Sequence, residues 1–201
     1  MLIIGLTGNI GSGKTTVSKI FEVLGIPVFY ADEAAKLIMV NDKQLIGELK
    51  SEFGEASYFA DGTLNRKHIA SVVFNNDAAL KRLNALVHPA TFRAFDTWVA
   101  TINNVPYIVK EAALLFESDS YKLCDQTVMV QAPLDMRIKR VMDRGGLSRD
   151  EIVKREAHQF TEEKKAQLAD HIIKNDDTEL VIPQVLKLHE VFSSKFNAFG
   201  D

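Results

Sequence analysis

One cysteine, Cys124, is all the 201-residue chain contains, so no disulfide can form within it. That usage suits a reducing compartment and gives the expectation of a cytoplasmic protein. No run approaches the roughly 18 apolar residues of a membrane span. The apolar start, MLIIGLTG, has neither a basic stretch before it nor a long apolar stretch within it, so it does not read as a secretory signal. Positive charge is not in excess either. Lys and Arg number 24 against 27 Asp and Glu, a formal net charge of −3 that gives no general attraction to nucleic acid or to an anionic membrane. Any basic site must be local. Repeats and low-complexity tracts are missing, as is the N-K-x-D tetrapeptide with which a guanine-dependent switch protein reads its base. What is there, 46% hydrophobic and 25% charged residues, is the composition of an ordinary globular chain. Its length suits one domain, or one core with insertions.

Short apolar runs alternate with longer helical patterns. LIIGLT (2–7), IPVFY (26–30), YIVKEA (107–112), TVMVQA (127–132) and HIIK (171–174) are too short for helices and rich in branched residues. They predict buried strands of a five-stranded parallel sheet flanked by helices, an α/β fold. A helix is expected over 14–24, stopped by Gly25 and Pro27. Residues 33–103 carry amphipathic helical patterns and no convincing strand, too much for a simple crossover and better suited to a subdomain for a second ligand. A second interruption, 133–167, is helical and basic in its first half. A last helix is expected over about 178–196, with Pro183 in its first turn.

Gly8-Asn9-Ile10-Gly11-Ser12-Gly13-Lys14-Thr15 fits G-x-x-x-x-G-K-[ST] at every specified position, after a strand and before a helix. Glycines let the backbone turn its N–H groups inward with no β-carbon to hold a phosphate away. The helix start adds partial positive charge. Gly8, Gly11, Ser12 and Gly13 would form this cradle. Lys14 would reach the β- and γ-phosphates, the Thr15 hydroxyl would ligate Mg²⁺, and Thr16 would meet the α-phosphate. The bland alternative, a glycine-rich turn that happens to contain Gly-Lys, does not need that full match.

Binding alone does not separate kinases from switches and motors. DRGG (143–146) fits D-x-x-G only nominally, because it follows a helix instead of a strand. Asp32 lies just past the second strand, at the sheet edge where ligands bind in doubly wound folds. Ionised at neutral pH, it can accept a hydrogen bond from an alcohol and orient it, or it can cap the helix that begins at EAAKLI, or do both. Arg137, Arg140 and Arg144 are spaced i, i+3, i+7 and are expected on one helix face, with Leu134, Ile138, Val141 and Met142 beside it. Such a face suits a lid closing over a transferring phosphate. The alternative is a solvated face balanced by Asp135, Asp143 and Glu151.

These residues carry a resemblance. From about residue 2 to residue 176 the chain is similar to the dephospho-coenzyme A kinases, P-loop small-molecule kinases related to nucleoside monophosphate kinases. GLTGNIGSGKTT resembles the family's opening, and Asp32 matches its aspartate after the second strand. DGTLNRKHIASVVFNN, with Asp61, Gly62, Leu64, Arg66 and Phe74, followed by LNALVHP to His88 and Pro89, resembles its most individual signature, which general nucleotide kinases lack. EAALLFES resembles an acidic-x-Pro-Leu-Leu-Phe-Glu segment, with Ala113 where proline is usual. IIKN, ending at Asn175, resembles the stretch that holds the adenine of ATP.

The resemblance implies transfer of the ATP γ-phosphoryl group to the ribose 3′-hydroxyl of dephospho-coenzyme A, giving coenzyme A and ADP. ATP and dephospho-coenzyme A would be the partners, with no nucleic acid, membrane or obligate protein partner. Mg²⁺ would accompany ATP. Asp32, Lys14, Arg140 and Arg144 would be catalytic, and Glu111 would hold a metal-bound water. Asp32, Lys36, Arg66, His88 and Glu117 would face the acceptor. Lys36 could steady Asp32 or reach a substrate phosphate, and Arg66 could contact a phosphate or lie free on the surface. His88, before a proline within a helical pattern, reads more readily as part of a kink than as a catalyst. Phe92, Phe95 and Trp98 read as packing. The expected division is a nucleotide core (1–32, 104–132, 168–201), an acceptor subdomain (33–103) and a lid (133–167). The rival readings are another small-molecule kinase on this fold, a nucleotide-dependent switch, and a nucleic-acid-binding ATPase, which would want a broader basic stripe.

Overall fold

The structure, a computed structural model, describes residues 1–74 and 76–198. Asn75, within the signature stretch, and residues 199–201, at the end of the expected nucleotide core, lie outside the described residues. In chain order the elements begin with β1 (Leu2–Thr7), α1 (Lys14–Val23) and β2 (Val28–Tyr30). Four helices follow: α2 (Ala31–Asn41), α3 (Lys43–Phe53), α4 (Arg66–Val73) and α5 (Asp77–Val99). Next come β3 (Tyr107–Glu111), β4 (Gln126–Gln131), α6 (Leu134–Asp143), α7 (Arg149–Glu156) and α8 (Glu162–Leu168). The chain closes with β5 (His171–Lys174) and α9 (Val181–Ala198).

The five apolar runs form one sheet in the order β2-β3-β1-β4-β5, with every ladder among the described residues parallel. Boundaries move by a residue or two from expectation. β2 begins at Val28 and not at Ile26, because Pro27 has no N–H to donate, although its carbonyl accepts from Val109 N at 2.9 Å. Pro183 falls in the first turn of α9, where its missing N–H forfeits nothing.

The chain divides into two compact units, Met1–Tyr30 with Ile102–Asp201, and Ala31–Thr101. The first contains the sheet. Its strands are covered on both faces, hence their near-continuous apolar composition. Ile4, Leu6, Tyr107, Val109, Val128, Val130 and Ile173 from the strands pack with Val17 and Phe21 of α1 and with Val185 and Phe192 of α9. Tyr107 is fully buried among these residues. Its ring meets Phe192 edge-on at 5.3 Å, and its hydroxyl is hydrogen-bonded to His189 Nδ1 at 2.7 Å, so the one polar atom it brings into the core is matched.

The second unit is helical, with one isolated bridge between Tyr58 and Leu64. Its helix starts are written in Asx caps. Asp42, Asn65 and Asn76 accept from the N–H groups of Leu45, His68 and Ala79 at 3.0–3.1 Å, which fixes where α3, α4 and α5 begin. Leu45, Leu49, Phe53, Tyr58, Ile69, Ala79, Val87 and Ala90 form its own core. α5 runs through Pro89, which forfeits the bond to the Ala85 carbonyl without ending the helix. Phe95 is buried and stacks on Trp98 at 6.1 Å, a packing pair. Among the described residues no helix is long and apolar enough to cross a membrane.

Candidate active site

The glycine loop joins β1 to α1. Gly13 is the N-cap of α1 in a left-handed conformation (φ 99°), and no side chain caps the helix. The first N–H groups of α1 are therefore open to an anion. A Cβ at Gly13 would fall on Asn175 Nδ2, and one at Gly11 would fall on the Arg137 carbonyl oxygen, so the loop is closed around these neighbours as tightly as glycine permits. Ser12 Oγ is buried with no hydrogen-bond partner in the protein, an orphan that a phosphate oxygen would satisfy. Thr15 and Thr16 are exposed on the first turn.

Lys14 curls back over the loop, donating from Nζ to the Gly8 carbonyl at 2.8 Å, with Glu111 Oε1 3.9 Å away. Glu111 is the last residue of β3, set opposite Leu6 by the β1–β3 register. Parallel pairing thus brings an acid to the strand end from which the loop departs, the position at which doubly wound sheets bind ligands. Glu117 turns toward a residue that sequence reasoning missed. Its Oε1 accepts from Phe160 N at 2.7 Å and lies 3.1 Å from Lys165 Nζ, while Oε2 is buried and unmatched. Lys165 is fully buried and also donates to the Ala113 carbonyl at 2.8 Å. Burial lowers its pKa against the opposing pull of Glu117.

The three arginines of α6 do not share one task. Arg137, expected on the lid face, is 2% exposed and faces inward. Its guanidinium makes a two-pronged bond to Glu156, Nη1 to Oε2 at 2.7 Å and Nη2 to Oε1 at 2.8 Å, and its Nε donates to the Ala132 carbonyl at 2.8 Å. Glu162 Oε1 is 3.6 Å from the same Nε. The anions that accompany Arg137 are thus the protein's own. Burial raises Glu162, whereas for Glu156 the burial effect is outweighed by hydrogen bonds from Arg137 and Asn9, which hold its carboxyl below the ordinary range. Arg140 donates to the Asn175 carbonyl at 2.8 Å and pairs with exposed Asp177 at 3.1 Å. Asn175 is itself fixed by its N–H on the Gln131 carbonyl and its Nδ2 on the Ser12 carbonyl, both at 2.8 Å. Gly13, Thr16, Arg140, Asp143, Arg144 and Asn175 line an open cavity of about 380 Å³. Cations, helix-start amides and one carboxamide in a single hollow suit a polyanion bearing a heterocycle.

The remaining expected residues lie in the helical unit. Asp32 and Lys36 stand one turn apart on α2, both exposed. Asp32 is inside the first turn, because the helix begins at Ala31, and so is not its N-cap. Arg66 opens α4 and is exposed. His88 lies in α5, where burial lowers its imidazole pKa. α2 and α4 each pack on α5. This unit has a cavity of its own of about 370 Å³, lined by Val40, Ile46, Lys50, Glu55, Tyr58, Phe59, Ala60 and Gly62. Among the described residues no cluster of three or more His, Cys, Asp or Glu could hold a metal ion by itself.

A family model described as dephospho-CoA kinase matches residues 2–180. A dephospho-CoA kinase of Salinibacter ruber is 41% identical over 180 residues, covering 89% of this chain and 90% of that protein. Among solved structures, TT1252 from Thermus thermophilus is similar with a TM-score of 0.84 and 36% identity, covering 94% of this chain and 96% of that one. A dephospho-CoA kinase from Campylobacter jejuni is similar with a TM-score of 0.70 and 26% identity, over 96% of this chain and 98% of its own.

Proposed function

The chain belongs to the dephospho-CoA kinase family, and from that membership we propose how its residues divide the work of phosphoryl transfer. It is a kinase of the P-loop fold that phosphorylates dephospho-CoA with ATP in coenzyme A biosynthesis. In our reading the acceptor atom is the ribose 3′-hydroxyl, and the enzyme works in the cytoplasm. The observation that carries the reading is the open, uncapped start of α1 bordering a cavity lined by Arg140, Arg144 and Asn175.

Phosphoryl transfer leaves the protein little covalent chemistry. Its tasks are to align the reactants and to stabilise charge on the transferring group. The amides at the start of α1, from Gly13 to Thr16, hold the phosphate chain, with the Ser12 hydroxyl as an added donor. Lys14 is held at the loop mouth by the Gly8 carbonyl and exchanges that contact for the β- and γ-phosphates when ATP enters. Arg140 and Arg144 neutralise the equatorial oxygens, and Asn175 borders the base. Asp32 accepts the hydrogen bond of the acceptor hydroxyl, orients it and takes its proton. The Ala31–Thr101 unit, with Lys36, Arg66 and His88, receives dephospho-CoA. Glu117 is better suited to fixing Lys165 and the turn at Phe160 than to touching the acceptor, since both partners are already within reach.

The donors present fit Mg²⁺, which keeps most of its waters and takes few protein ligands. The Thr15 hydroxyl would hold it directly and Glu111 through a water. Bound there, it would neutralise charge shared by the β- and γ-phosphates. The deciding assay combines the protein with Mg-ATP and dephospho-CoA, with adenosine and cytidine monophosphates as alternative acceptors, and follows products by mass. Coenzyme A as the dominant product is expected. Phosphorylation of a monophosphate in preference to dephospho-CoA would overturn the assignment.

A further inference from the structure

A glycine-rich loop has a conformational liability: the freedom that lets its amides converge also lets them disperse before a ligand arrives. Here the first half of the loop is tied down by side chains from the segment 134–160. Asn9 is fully buried, and its Nδ2 donates to Glu156 Oε1 at 2.7 Å and to the Phe160 carbonyl at 3.1 Å. Both partners are acceptors, which fixes the orientation of the carboxamide. The next residue is held at both backbone groups. Ile10 N donates to Gln159 Oε1 at 2.9 Å, and Arg137 Nη1 donates to the Ile10 carbonyl at 3.3 Å. Arg137 and Glu156 are fixed in turn, because they form a two-pronged pair in which Arg137 is buried and Glu156 half-buried, and Arg137 is further bonded to Ala132.

We propose that Arg137, Glu156 and Gln159 form a positioning clamp that presets the Asn9–Ile10 half of the phosphate loop for nucleotide. None of the three touches substrate. The clamp acts through Asn9 and Ile10, and it links nucleotide affinity to the ordered state of α6 and α7. This inference rests on the nucleotide-binding reading of the loop. A loop competent only part of the time binds with an affinity reduced by that fraction, so loosening the clamp weakens ATP and ADP and leaves the acceptor alone.

Asn9→Ala cuts the clamp without orphaning a charge, since Glu156 keeps Arg137. It is expected to raise the dissociation constant for ADP, measured calorimetrically, by about 10-fold or more, the worth of one hydrogen bond to a charged group. The KM for dephospho-CoA should stay close to wild type, and the melting temperature should fall by less than in Glu156→Ala, which also strands a charge. Glu156→Ala should weaken ADP at least as much and lower the melting temperature, because it strands Arg137, while Glu156→Gln should restore part of the ADP affinity by returning an acceptor to Asn9. Because Asn9 and Glu156 act in series, the double variant should bind ADP no more weakly than Glu156→Ala alone. Wild-type ADP affinity in Asn9→Ala, or additive losses in the double variant, would overturn the clamp while leaving the kinase reading in place. Failure of the wild-type protein to bind ADP would overturn both.

Discussion

Asp32 stands in the first turn of α2, exposed, with Lys36 one turn on. A carboxylate there is placed to accept a hydrogen bond from an alcohol. Asp32→Asn preserves shape and a hydrogen-bonding carbonyl but removes the proton acceptor. Turnover is expected to fall by a hundredfold or more, the order of what a positioned base contributes, with ATP affinity unchanged. Single-turnover phosphorylation of dephospho-CoA alongside ADP titration checks both, and full turnover would remove Asp32 from the chemistry. Single residues also mark the limit of sequence reading. Gly11, Gly13, Lys14 and Thr15 were legible because the motif that marks the loop lies within eight consecutive residues. Arg137 was misread because helical spacing says which residues share a face and not what packs on that face. Lys165 was overlooked in EEKKAQL, a stretch as polar as any solvated helix, because its partners Glu117 and Ala113 lie on the far side of β4, α6 and α7 in the chain.

At the scale of elements, the segment from α6 to α8 carries charged side chains to two places. It contributes Arg140 and Arg144 to the cavity and Arg137, Glu156 and Glu162 to a charge network centred on the buried Arg137. That network has a pH signature. Glu156 has a folded-state pKa below the ordinary value of 4.5, so its stabilising contribution is complete above that value and is lost as pH falls through the folded one. Glu162 is raised by burial and works with the opposite sign, being relieved by protonation as pH falls. Glu156→Gln abolishes the first effect and keeps the second. The gap in melting temperature between wild type and Glu156→Gln is therefore expected to narrow as pH is lowered from about 7 to about 3. A gap constant across that range would mean that the ionised state of Glu156 does not support the fold. The helical, basic first half of this region was legible from its pattern of residues. The network was not, because Arg137, Glu156 and Glu162 come from three helices and meet only on folding.

Among the described residues, one hydrophobic core is gathered on the sheet and another among α2 to α5, and no described residue belongs to both. The sequence hinted at this through the absence of any strand pattern between 33 and 103, but which apolar residues would close the second core depended on the caps at Asp42, Asn65 and Asn76. Separate cores predict separable damage. Leu49 and Phe192 are both fully buried, the first in the helical unit and the second on α9 against Tyr107. Leu49→Ala is expected to cost about 2–5 kcal/mol and Phe192→Ala about 3–5 kcal/mol, a transfer loss plus a cavity. Hydrogen exchange measured along the chain should localise each loss: faster exchange in α3 and α5 for Leu49→Ala, faster exchange in β3 and α9 for Phe192→Ala. The functional consequences should divide in the same way. If the helical unit receives the acceptor, Leu49→Ala raises the KM for dephospho-CoA with little change in ADP affinity, and Phe192→Ala weakens ADP. Loss of ADP binding in Leu49→Ala equal to that in Phe192→Ala would show that the two cores fold and bind as one, and the assignment of donor and acceptor to different units would fail.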